Sequence, residues 1–224
     1  MIVGTKIAPS SPAELMGDPH PLLEQLGAPD EVAATGVVVP TAEFRRVSDL
    51  PSLRRFLDTY RTEILVPIEL PAIVAAYQHA SRGESRELIA LDQQLGKEAA
   101  IRQFAASSCR VGQRQLGKLR PMRDQRVVQR YLEAIDGGKA SGWHTVVYGV
   151  SLAMFSLPLR QALQHYVEQT TGGFIQSAAR SLRLRERDCE ALLAAHSSET
   201  PGAIACALEA PQRSKGVIVE ASSR

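Results

Sequence analysis

From Ser48 onward apolar residues recur at intervals of three and four, a pattern that is not sustained before Ser48. Asp49-Leu50-Pro51 supplies a capping side chain and an early proline, and Leu53, Phe56, Leu57 and Tyr60 line one face of a helix running to about Leu65. Pro67 and Pro71 restart the chain, Ile73, Val74 and Tyr77 form the next apolar face, and Gly83 ends it. The same spacing predicts helices over 85–95, 99–119, 123–135, 143–155, 158–171, 174–182 and 186–196, punctuated by Gly137-Gly138 and Gly172-Gly173. Only 36–40 and 217–219 have the β-branched content of a strand. Ahead of residue 41, Pro9, Pro12, Pro19, Pro21, Pro29 and Pro40 remove donors and fix backbone angles, leaving Leu22, Leu23 and Leu26 at most one helical turn that packs on the main domain. The expectation is an all-α, single-domain helical bundle over 48–210, with an irregular N-terminal arm at 1–47 and a mobile C-terminal tail at 211–224.

Composition adds limits. A chain of 224 residues, 44% of them hydrophobic, is long enough for one core that buries roughly 70% of the surface the unfolded form exposes. A net charge of +2, from 26 Lys and Arg against 24 Asp and Glu, is too balanced to name a polyanionic partner. Three cysteines, Cys109, Cys189 and Cys206, make no disulfide framework and fit a reducing compartment. With neither a basic-then-apolar leader nor an apolar run near the length of a membrane span, the chain reads as soluble and cytoplasmic.

Charge is more informative locally. Eight cations lie between Arg102 and Arg130, with Asp124 the only acid among them. Arg110, Arg114 and Lys118 are four apart and form a stripe on one helix face, while Ile101, Phe104, Ala105, Ser108, Val111 and Leu119 turn inward. Such a stripe suits phosphate or an acidic protein surface, although a solvated face is the commonest reason for a charge run. Nucleic acid is the weaker choice, because aromatics are 5% of the chain and none interleaves the stripe.

Three strings invite an enzyme reading and do not sustain it. Gly112 to Leu119 has P-loop glycine and lysine spacing, but Leu119 stands where a magnesium-binding hydroxyl belongs, on a helical pattern. Gly149-Val150-Ser151-Leu152-Ala153 departs by one residue from a nucleophile elbow and lacks the parallel sheet that presents one, so an enzyme reading would rest on Ser151 or His144 alone. Cys189, His196 and Cys206 include no compact ligand pair. No catalytic, cofactor or metal residue is assigned.

Several short pieces, in order, carry a family resemblance. They are Leu70-Pro71-Ala72-Ile73, Leu91-Asp92, Arg102 followed by Ser108 and Gly112, Gly142-Trp143-His144-Thr145-Val146-Val147-Tyr148-Gly149, Leu157-Pro158-Leu159, and Gly173 through Ala178-Ala179-Arg180. Over about 48–193 the chain resembles urease accessory protein F (UreF), the helical subunit that works with a GTPase to deliver nickel to urease. The family's glycine-rich N-terminal segment is not found in 1–47, its C-terminal pattern is replaced by 212–224, and Arg185 stands near an expected glycine. The resemblance implies a divergent, non-catalytic, homodimeric subunit without a cofactor. Its implied partners are a UreD- or UreH-type accessory protein, a UreG-type GTPase and urease apoprotein, with no membrane. On it Arg102, Ser108, Gly112, His144 and Arg180 are signature positions, and with Arg110, Arg114 and Lys118 they form the expected partner-binding set, His144 and Arg180 being equally compatible with buried structural roles.

Overall fold

Helix α1, Leu50–Tyr60, starts as its sequence predicts. The Asp49 carboxylate accepts from the Ser52 amide at 2.8 Å while the Ser52 hydroxyl accepts from the Asp49 amide at 3.0 Å, a reciprocal cap that satisfies donors no helical carbonyl can reach. The computed structural model describes residues 47–102 and 104–216, with the backbone alone at 180, 181 and 210–216. The arm at 1–46, the candidate strands at 36–40 and 217–219, and the Arg180 side chain lie outside what is described.

The chain then departs from its predicted break at the prolines. Arg61–Glu69 is a π-helical stretch with Pro67 inside it, and α2, Leu70–Ser81, continues without a turn. The Leu70 amide reaches back to the Leu65 carbonyl, five residues away. Wider turns of this kind accommodate a ring and a missing N–H that an α-helix would not.

Next come α3 (Ser85–Leu95), α4 (Ala99–Arg102), α5 (Ala105–Gly117), α6 (Arg126–Asp136), α7 (His144–Met154), α8 (Leu159–Leu182) and α9 (Glu186–Gly216). The expectation of one helix over 99–119 is corrected: it is split into α4 and α5 around Phe104, which is buried and whose backbone leaves helical geometry. Two predicted helices at 158–171 and 174–182 are instead the single α8. Gly172-Gly173 does not stop it, since packing of Thr170, Thr171, Phe174 and Ile175 in the core outweighs a propensity cost of about 1 kcal/mol per glycine. Likewise α9 does not end at His196 but runs through Pro201 and Pro211 to Gly216, taking in the first residues assigned to the tail. Among the described residues there is no strand.

At the centre is α7, in which His144 through Leu152 are all buried, as a helix apolar on every side must be. It packs against α2, α5 and α3. At its crossing with α2 a Cβ on Gly149 would lie 2.5 Å from the Ile73 carbonyl oxygen and 2.7 Å from Ala76 Cβ, so glycine there lets two backbones touch. On the other side of the core α8 pairs with α9, and Phe174 of α8 meets the ring edges of Phe56 and Tyr60 at 5.2 and 5.0 Å. One apolar cluster extends from Leu53 on α1 to Ala207 on α9.

Candidate functional site

Two buried carboxylates organise the polar interior around the start of α7. The first, Asp92 on α3, is fully buried. Its Oδ1 accepts from the Ser141 amide at 2.5 Å, and its Oδ2 accepts from the Gly142 amide at 2.9 Å, the Trp143 amide at 3.1 Å and the Tyr131 hydroxyl at 2.6 Å. The amides entering α7 have no helical carbonyl of their own, and a carboxylate fixed from a neighbouring helix takes that place and suits the positive end of the helix dipole. Gly142 has φ +76°, a turn conformation that glycine adopts without strain, and the Gln113 side-chain amide donates to the Ser141 carbonyl at 3.0 Å.

The second carboxylate, Glu69, lies at the end of the π-helical stretch and is 3% exposed. Its Oε2 accepts from Tyr60 at 2.5 Å and from Tyr166 of α8 at 2.9 Å. With its hydroxyl hydrogen directed to Glu69, the Tyr166 oxygen accepts from His144 Nε2 at 2.9 Å, which puts a proton on that nitrogen. His144 Nδ1 is hydrogen-bonded to the Ser108 hydroxyl, 2.8 Å away, and the His144 amide donates to Ser108 Oγ at 3.3 Å. One hydrogen-bonded chain from Ser108 through His144 and Tyr166 to Glu69 thereby ties α5, α7 and α8 to the first helical rod of the described residues.

Burial raises the ionisation of Tyr60, Tyr131 and Tyr166 well above the ordinary tyrosine value, reinforced by the negative charge of Glu69 or Asp92; burial alone raises Tyr148. The folded state holds these protons more tightly than the unfolded chain, so this stabilisation is complete below the unfolded value near 10 and is lost as pH rises through the folded values. By pH 11 the loss is ~1.4 kcal/mol for each such tyrosine. Thermal melts followed by circular dichroism between pH 9.5 and 11.5 should show a falling Tm, with a shallower fall for Tyr166→Phe. A flat profile to pH 11.5 would contradict the buried hydroxyl network.

Of the sequence-derived set, Ser108, Gly112 and His144 are buried and take part in this knot.

 None of the three is exposed in this conformation. Gly112 faces the α7 entry so closely that an added Cβ would overlap the Gly142 carbonyl oxygen and sit 2.9 Å from the His144 amide nitrogen. Arg110, Arg114 and Lys118, half a turn round the same helix, are exposed, as is Arg102 on α4, whose guanidinium donates to the Lys97 carbonyl at 3.1 Å. The arrangement thus has a rigid buried knot beneath α5 and a cationic face above it. Glu69, Tyr60 and Tyr166 are missing from the sequence-derived set, although Glu69 is the only charged residue between Ile64 and Val74.

The enzyme-like strings resolve structurally. Gly112 to Gly117 is helical, and no loop is available there to cradle a phosphate. Ser151 is buried within α7, with its hydroxyl donating to the Val147 carbonyl at 2.9 Å, as in any packed helix. Cys189, His196 and Cys206 share α9, where seven residues span ~10 Å, too far for two ligands of one ion. Among the described residues no three His, Cys, Asp or Glu side chains cluster as a metal site. Burial, with a contribution from Asp92, pushes the Cys109 thiol up to about 11.

The family model for UreF matches residues 47–197, about two thirds of the chain and nearly all of the described domain. The chain belongs to the UreF family. None of the curated proteins compared with it matches. Membership carries a urease accessory role in general terms, and several of the UreF-like pieces read from the sequence meet in the knot: Asp92 of Leu91-Asp92, Ser108, Gly112, and the start of the Gly142–Gly149 segment. Among the described residues no helix is long and apolar enough to cross a membrane.

Proposed function

We propose that this UreF-family chain is a non-catalytic scaffold that joins a UreD- or UreH-type accessory protein and acts on a UreG-type GTPase during nickel delivery to urease apoprotein, as a homodimer in the cytoplasm. The observation that carries the reading is the family match over the whole span from α1 into α9. The knot supports it physically: buried hydrogen bonds hold α3, α5, α7 and α8 in fixed relation, which suits a surface that must present itself in one orientation to its partners. Within that surface the cationic face of α5 is the proposed contact, with Arg102, Arg110, Arg114 and Lys118 engaging acidic groups.

The test is co-expression with the accessory proteins of the same genome, followed by pull-down and light scattering. Charge reversal by Arg110→Glu, Arg114→Glu and Lys118→Glu together is expected to weaken partner capture by at least ~10-fold, because three exposed attractions become repulsions, with the far-ultraviolet circular dichroism unchanged. Unaltered capture would remove this face from the interface, and no complex at all with a folded chain would remove the accessory reading.

A further inference from the structure

Helix α9 is held to the body by an apolar face and a polar cluster. Leu192, Ile204 and Ala207 are buried on its inner side, and the helix packs on α8, on α2 and on the π-helical stretch. Between those apolar contacts, Arg61 of the π-helical stretch forms an ion pair with Glu199. The Arg61 side chain is 30% exposed, yet its Nε is shut off from solvent and has no hydrogen-bond partner among the described residues. His196 stands three residues before Glu199 and is half-buried, and its carbonyl accepts from the hydroxyl of buried Thr200, one turn on, at 3.0 Å. The charges that act on its ring are those of Arg61 and of exposed Asp58 near the end of α1. From the other elements packed on α9, the only titratable side chains are His79 in the last turn of α2, Tyr77 beside it, and the exposed Arg160, His165 and Glu168 with buried Tyr166 on α8, the undescribed Arg180 side chain apart.

We propose that Asp58, Arg61, His196 and Glu199 form an acid-sensitive latch, in which protonation of His196 loosens the middle of α9 from the π-helical stretch. A neutral imidazole packs beside the enclosed part of Arg61 without penalty. A charged one loses half of its water on docking and meets a like charge that is already there. The acids nearby compensate little, because Glu199 is engaged by Arg61 and the attraction of exposed Asp58 is screened. Burial accordingly lowers the His196 pKa from 6.5, with Asp58 opposing the shift and Arg61 adding to it. The docked state therefore favours the neutral ring. Its contribution is complete above the free value near 6.5 and is lost as pH falls through the lower docked value. Local opening, with the rest of the fold intact, is the consequence, since α9 lies at the edge of the core and α7 at its centre. The latch stands or falls separately from the urease reading.

Amide hydrogen exchange of the purified full chain, read by mass spectrometry at about pH 7.5 and 5.0 and corrected for the intrinsic rates, tests it. Peptides from 190–205 should lose protection by at least about threefold on acidification while peptides from α7 hold theirs. In His196→Gln, whose side chain is neutral at either pH, the protection of α9 should stay constant. Unchanged protection of α9 in the parent, or an equal loss in His196→Gln, would overturn the latch. A second measurement needs no variant: followed by NMR in the parent protein, the His196 imidazole should titrate below 6.5, and a midpoint at or above that value would also overturn it.

Discussion

Gly112→Ala is expected to destabilise the fold by at least about 3 kcal/mol, or to prevent folding, although alanine is the better helix former. The added methyl would meet the Gly142 carbonyl oxygen, the Trp143 carbonyl carbon at 3.0 Å and the His144 amide nitrogen. These are backbone atoms held by Asp92, with no rotamer to turn aside. Relief would require α5 to move off the α7 entry, which would break the Ser108 to His144 bond. Gly117 at the end of the same helix has nothing within 4 Å of the corresponding position. There Gly→Ala should be neutral or stabilising by up to ~1 kcal/mol. Urea unfolding of the two variants would decide the matter: similar midpoints would mean that the contact at Gly112 is not tight.

Asp92→Ala should cost about 3–5 kcal/mol, lowering Tm by roughly 10–15 °C. Four donors lose their acceptor at once: the amides of Ser141, Gly142 and Trp143 and the hydroxyl of Tyr131. Asp92→Asn should recover little, because its amide group offers donors where the site already has donors. A Tm within 3 °C of the parent for either variant would show that water replaces the carboxylate and that the knot is weaker than its geometry indicates.

The fold was legible in the sequence wherever one helix face meets the core. The Asp49 and Ser52 cap, the apolar face of α1 and the outward stripe of α5 follow from local spacing. Reading failed where a local rule was overruled from a distance. Prolines 67 and 71 suggested a break, yet the chain widens into π turns and places Glu69 against Tyr166, 97 residues away. Gly172-Gly173 suggested a stop, yet the buried residues on both sides carry the helix through. The site divides in the same way. Ser108, Gly112 and His144 stood out as signature residues, but spacing along one chain could not reveal that they meet at the α7 entry. Glu69 could have been found by asking why one acid interrupts an apolar run.

Trp143 is the chain's single tryptophan, and it is 3% exposed at the turn that Asp92 holds. Its indole N–H has no hydrogen-bond partner among the described residues. The protein's one strong fluorophore thus sits at the junction of α3, α5 and α7, where its emission reports the integrity of that junction without any label.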